Sequence, residues 1–240
     1  MAASLGPSIN EEGLVLALDA ADRNSYIGSG TSWRDLSGNS YHGTLTNGPT
    51  FNSSNGGSIV FDATDDFVSV GNIGAITSFT VLVWCYPTNV TSYRNILDCN
   101  FNYNATTGNI GPRLEMNSAG NLSWLYSNIT NSNDSFYVQA AMNSGFAANT
   151  WYYVGITYSS SANTSITYLN GYNTNNGRTS YGAPTGFVGT MNNIILGKGF
   201  FLDASRLYAG RIASSTIYNR ALTATEVLQN YNATKSRFGL

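Results

Sequence analysis

The stretch Ala209–Tyr231 changes period halfway along, and that change constrains what the whole chain can fold into. In its first half Ile212, Ser214, Thr216 and Tyr218 fall on one parity, and Ala213, Ser215 and Ile217 on the other. Ile, Thr and Tyr suit a pleated ribbon, so the pattern predicts a long strand ending near Asn219. Beyond it, Thr223 and Glu226 have the spacing of a capping box, in which hydroxyl and carboxylate each satisfy an orphan backbone donor. Leu222 before the cap and Val227 one turn in occupy the positions of a hydrophobic staple. Val227, Leu228 and Tyr231 then give a short helix an apolar stripe to lay on a sheet.

Upstream, short β-rich runs alternate with Asn, Ser and Gly turns. Gly13–Leu18, Ser58–Asp62 and Phe67–Val70 read as strands. Ser78–Tyr86 is nearly continuous in apolar residues, which implies burial on both faces, and Pro87 ends it. Asn95–Cys99, Arg113–Met116, Asn121–Tyr126 and Phe136–Ala140 follow as short strands. Trp151–Tyr158 is a second core strand, paired with Ser165–Leu169, and Asn170-Gly171 supplies a tight turn. Asn193–Gly197 leads into the closing strand. A dozen or so strands of this kind predict an all-β, two-sheet antiparallel sandwich with one short C-terminal helix. The expected organisation is an N-terminal arm over residues 1–12, one domain over 13–232 and a C-terminal tail over 233–240. The arm has two readings, a mobile tail and a clasp for a neighbouring subunit.

Composition narrows function. Only 10% of the 240 residues are charged, and the net charge is −2. Such a chain has no basic footprint for nucleic acid. No run approaches the roughly 18 apolar residues of a membrane span. The opening residues lack the basic leader and apolar core of a secretory signal, so synthesis in a bacterial cytoplasm without export is expected. Cys85 and Cys99 fit no metal spacing and are read as buried free thiols. A hairpin between Thr80–Tyr86 and Arg94–Asn100 would put them on different rungs.

Gly210, Arg211, Ile212, Ile217, Tyr218, Asn219, Arg220, Ala221, Leu222, Thr223, Glu226 and Val227 together resemble the closing signature of laminin-G-like, concanavalin A-like jelly rolls. The loop Trp33-Arg-Asp-Leu-Ser-Gly-Asn39, continued by Gly43, Thr44 and Leu45, resembles a second motif of that family. Trp33 is large enough to pin this loop, and Asp35 and Asn39 can fold back on local amides. His42, the only histidine, falls inside it and reads as a loop residue. The resemblance also implies a candidate calcium site, since relatives draw on acidic loops at one rim. Asp62, Asp65 and Asp66 could supply some of the six to eight oxygens calcium needs. Against that, relatives often carry an acidic residue where this chain has Ala213 and Ser214, and Asp-rich turns are commonly only turns. No cofactor is expected, with calcium as the one candidate exception.

The same superfamily includes glucanases, whose two catalytic carboxylates lie on one strand as Glu-x-Asp-x-Glu. None of Glu11, Glu12, Glu115 or Glu226 has an acidic residue two places away in a strand, so no enzyme activity is expected. Sugar sites stack pyranose rings on aromatic faces, and Tyr93, Tyr103, Tyr172 and Tyr181 lie in Asn/Gly-rich stretches suited to that role. Finally, the Met-Ala-x-Ser-Leu-Gly-Pro opening, the segment Gly43–Asp62 and the closing Tyr231–Leu240 resemble bacteriophage virion proteins. That resemblance implies a capsid decoration or head-surface protein, with a tail-fibre lectin module as the alternative. Its implied partners are other virion proteins, copies of itself and host-surface glycans.

Overall fold

In the computed structural model, two antiparallel sheets face each other across one apolar core. The structure describes residues 8–99, 108–129, 140–142, 146–174, 189–191, 193–199 and 206–240. In chain order the strands are β1 (Leu14–Asp19), β2 (Ser32–Trp33), β3 (Gly43–Thr46), β4 (Thr50–Asn52), β5 (Ser58–Asp62) and β6 (Phe67–Gly71). Next come β7 (Gly74–Ile76), β8 (Phe79–Pro87), β9 (Arg94–Cys99), β10 (Gly108–Met116), β11 (Leu122–Ile129) and β12 (Ala140–Met142). They are followed by β13 (Tyr152–Ser159), β14 (Thr164–Leu169), β15 (Tyr172–Asn173), β16 (Gly189–Met191), β17 (Ile194–Leu196) and β18 (Ala209–Tyr218). Helix α1 (Ala224–Thr234) closes the fold.

The first sheet has the order β15-β14-β13-β8-β18-β5-β4, and the second β12-β11-β10-β9-β17-β6-β3-β2. Strand β18 is ten residues long because two strands share one of its edges. Strand β5 pairs with Ala209–Ile212, and β1 with the half beyond Ala213. At the junction the register against β8 shifts between Ile212 and Ser214. This bulge corrects the simple alternation read from sequence: Ile212 and Ile217, of opposite parity, both enter the inter-sheet core.

Strand β8 is buried on both faces, as its apolar run predicts. Phe79, Val81, Val83 and Cys85 point into the core, while Leu82 and Trp84 join an outer cluster under α1. The two cysteine strands do not pair as a hairpin. Strand β8 lies in the first sheet between β13 and β18, and β9 in the second between β10 and β17. Both cysteines are free and buried, and burial pushes both thiols up. Asn170 (φ 51°) and Gly171 (φ 81°) make the tight turn from β14 to β15. The strand expected at Phe136–Ala140 is described only as Ala140–Met142, because residues 130–139 lie outside the described set.

Asp35 ties the early loop to β1. One carboxylate oxygen accepts from the Ala17 and Ser37 amides, both at 2.9 Å, and the other from the Ser37 hydroxyl and the Tyr41 amide. Asn39 donates to the Val15 carbonyl at 3.0 Å. Trp33 is fully buried beneath this loop. His42 accepts from the Asp35 amide through Nδ1 at 3.1 Å, which makes it part of the same knot.

The C-terminal capping box is complete between Thr223 and Glu226, and Leu222 and Val227 bury together in the outer cluster. Arg220 then locks the corner. Its guanidinium donates to both Glu226 oxygens at 2.6 and 3.0 Å, to the Asn10 side-chain oxygen and to the Glu12 carbonyl. Tyr218 donates to the Asn10 carbonyl, and Asn230 holds both the Tyr218 hydroxyl and the Asn10 amide. Residues 8–12 are thus docked on this chain's own helix, and residues 1–7 lie outside the described set. The segment 233–240, expected as a tail, instead completes α1 and turns back over the sheet through a short 3-10 turn, Lys235–Phe238.

The hydrogen bonds from Arg220 are the main cause holding the Glu226 carboxyl down, from its ordinary 4.5 to about 2. A depressed carboxyl stabilises the fold fully above its unfolded value, and that contribution disappears as pH falls from about 4.5 towards 2. Glu226→Gln is therefore expected to cost roughly 1–2 kcal/mol at neutral pH, after allowing for water at this partly exposed site. It should also flatten the acid limb of stability over that window. Urea unfolding at neutral pH and at pH near 3 tests both: equal losses at the two pH values would refute the coupling.

Candidate functional site

The second sheet carries a polar ladder on the face turned away from the core. Leu114 and Met116 of β10 are buried inward, so the alternating Arg113 and Glu115 project outward. Across the ladder Arg113 sits opposite Asp98 and Glu115 opposite Asn95. Glu115, only 7% exposed, accepts from Arg206 at 2.8 Å, with Arg113 at 3.8 Å. Oriented to satisfy its neighbours, the Asn95 amide donates to Glu115 at 3.0 Å and its oxygen accepts from the Gly199 amide at 3.2 Å. The Arg206 guanidinium lies 4.7 Å from the centre of the Tyr93 ring. Tyr93 itself is 44% exposed. An open aromatic ring beside a guanidinium anchored by buried Glu115 can stack on a sugar face while the guanidinium bonds its hydroxyls.

Of the four tyrosines singled out from sequence, Tyr103 and Tyr181 lie outside the described residues. Tyr172 is 64% exposed, but it sits on the edge strand of the first sheet. There a side chain added to neighbouring Gly171 would meet the Tyr231 ring of α1 at 2.9 Å. Tyr93 and Tyr172 therefore belong to different layers and do not form one surface. Sequence reasoning missed Arg206, Asn95 and the role of Glu115, since Arg206 and Glu115 are 91 positions apart. No local motif links them.

Asp62, Asp65 and Asp66 do come together, with one carboxylate oxygen from each within 4.8 Å of the others. Two of the three are already used locally. Asp66 accepts from the Asp62 amide at 3.0 Å, and Asp62 accepts from the Thr64 amide at 2.7 Å. The Asp65 carbonyl is taken by Asn47. Burial is the main cause pushing the Asp66 carboxyl up, with the Asp62 and Asp65 charges adding to it, while the Thr64 amide pulls Asp62 down. Three carboxylates supply only part of a calcium shell, and the turn satisfies much of its own chemistry. EDTA is expected to leave the melting temperature unchanged. A fall of several degrees that calcium reverses would instead assign a cation to this turn.

The sandwich, its closing strand and capped helix now carry a family assignment. The sequence model for the concanavalin A-like lectin/glucanases superfamily, of laminin-G type, matches residues 61–228. The chain belongs to that superfamily. No curated protein matches it in sequence. Among solved structures it is similar to domain 4 of AbnA, an extracellular arabinanase from Geobacillus stearothermophilus solved with arabinotriose. The TM-score is 0.68 at 16% identity, over 92% of this chain and 100% of that one. It is also similar to the Trypanosoma rangeli sialidase solved with sialic acid, with a TM-score of 0.67 at 12% identity. There 94% of this chain is matched, and it spans 33% of the sialidase. The ligand-binding domain of botulinum neurotoxin serotype D, solved with N-acetylneuraminic acid, gives 0.67 at 17% identity, over 92% of this chain and 51% of that one. At these identities the likeness shows a lectin-like jelly-roll fold. Among the described residues no helix is long and apolar enough to cross a membrane.

Proposed function

We propose that this chain is a non-catalytic, lectin-like structural protein of a bacteriophage particle, a capsid decoration protein that adheres to glycans through the outer face of its second sheet. The observation that carries the adhesion reading is the half-open Tyr93 ring beside Arg206, with Glu115 and Asn95 fixed next to it. Structural neighbours solved with arabinotriose and N-acetylneuraminic acid support a sugar as ligand. The particle assignment rests on the resemblance of Gly43–Asp62 and Tyr231–Leu240 to virion proteins.

At the two candidate sites the described carboxylates are already engaged, which supports a non-catalytic reading. Retaining glycoside hydrolysis uses two carboxyl groups about 5–5.5 Å apart, one of them available as an acid. Glu115 is bound by Arg206 and Asn95, and Asp98 faces Arg113 across the ladder. The Asp62–Asp66 turn spends two of its carboxylates on its own amides.

Cryo-electron microscopy of purified particles separates the alternatives. Density at fixed positions on the capsid lattice supports decoration. Density at the tail tips alone moves the chain to a receptor-binding tail-fibre module, and its absence by mass spectrometry removes the virion reading. On a glycan array, Tyr93→Ala should abolish the signal and Tyr172→Ala should leave it intact. Release of reducing sugar would establish a glycoside hydrolase instead.

A further inference from the structure

A recess lies in the other layer of the molecule, on the outer face of the first sheet between α1 and residues 9–11. It measures about 550 Å³, within the size range of sites that enclose small ligands or side chains. Ser214 and Thr216 of β18 present hydroxyls on its floor, and Ile9, Leu14 and Leu36 supply apolar surface. Glu11 and Asp22 add carboxylates, and among the described residues no lysine or arginine lines it. Neither carboxylate has an ion-pair partner among the described residues.

Two features decide what fits. Trp84 and Tyr153 reach the recess but are buried, so no open ring face is offered for a pyranose to stack on. Asp19, also in the lining, is already occupied by a cation of this chain: Arg237 grips both its oxygens at 2.8 and 2.9 Å. Arg237 is not itself in the lining, so the carboxylates left without an ion pair in the recess are Glu11 and Asp22, beside apolar walls. We propose that this groove receives a lysine- or arginine-bearing segment of a partner protein. The aliphatic stem lies along Leu14 and Leu36, the cation meets Glu11 and Asp22, and polar groups of the segment bond Ser214 and Thr216. The site is on the opposite sheet from Tyr93 and stands or falls independently of glycan adhesion.

The test is an amide-resolved NMR titration of the full chain with the capped tripeptide acetyl-Ala-Lys-Ala-amide, and with its norleucine counterpart. Shifts are expected at residues 9–11, 22, 36 and 214–216 with the lysine peptide only. Asp22→Asn keeps a side-chain oxygen for the Asn24 amide, which Asp22 now accepts at 2.8 Å, and should weaken binding about fivefold. Ser214→Leu fills the floor without touching either carboxylate and should abolish the shifts, while Tyr93→Ala should leave them unchanged. An equal response to the norleucine peptide, shifts confined to another face, or no shifts at all would overturn the proposal.

Discussion

Gly210→Ala is expected to lower the unfolding free energy by ~3 kcal/mol or more. Gly210 has φ +151° and lies opposite Pro87 of β8, near the start of the strand that both halves of the first sheet share. A Cβ added there would stand 2.3 Å from the Tyr86 carbonyl oxygen and 2.9 Å from the Tyr208 ring. The first neighbour is backbone, locked in the β8–β18 ladder. The second is a fully buried tyrosine whose hydroxyl burial pushes well up. Neither can move without opening the sheet at its centre. Chemical denaturation checks this directly, and a variant within a few tenths of a kcal/mol of wild type would show that β18 adapts at this position.

Phe238→Ala is expected to cost ~3 kcal/mol, the loss of a large buried aromatic side chain. Its ring lies 4.0 Å from that of Trp84 and 4.5 Å from that of Trp151, centre to centre, with Phe238 only 9% exposed. The Trp84 indole N–H donates to the Thr234 hydroxyl at 2.8 Å, so the last helical turn and the stack hold one another. Asn55 bridges the same region, accepting from Trp151 and donating to the Arg237 carbonyl. Loss of the ring should also red-shift tryptophan emission as water reaches Trp84. Leu240→Ala, at a residue 48% exposed, serves as control and should change neither reading. Equal stability of the two variants would return residues 233–240 to the status of a tail.

These two sites show how unevenly the fold is written along the chain. The capping box at Thr223 and Glu226, the Asn170-Gly171 turn and the apolar run of β8 are local patterns, and local sterics and hydrogen bonding suffice to form them. The bulge at Ala213 is different. It falls where the β5 and β1 partners of β18 meet, strands some 150 to 200 positions away. The C-terminal segment looked like a tail because Lys235, Arg237 and Gly239 carry no apolar period. Its aromatic residue, Phe238, finds its partners only once β8 and residue 151 are in place.

The candidate sites divide in the same way. Aromatic residues in Asn/Gly-rich stretches pointed to Tyr93 and the family resemblance to the Asp62–Asp66 turn, which assembles because its members are neighbours in sequence. Glu115, Asn95 and Arg206 converge on Tyr93 only through the β9–β10 register and the return of the chain after β17. By itself the sequence determined a two-sheet sandwich closed by a capped helix, because alternation, turn residues and caps are short-range instructions. Only the tertiary structure decided which polar groups are fixed beside an open ring, which carboxylates stay unpaired in the groove under α1, and that the last residues clasp Trp84. Those outcomes depend on burial and on pairings between distant strands, which short-range patterns do not specify.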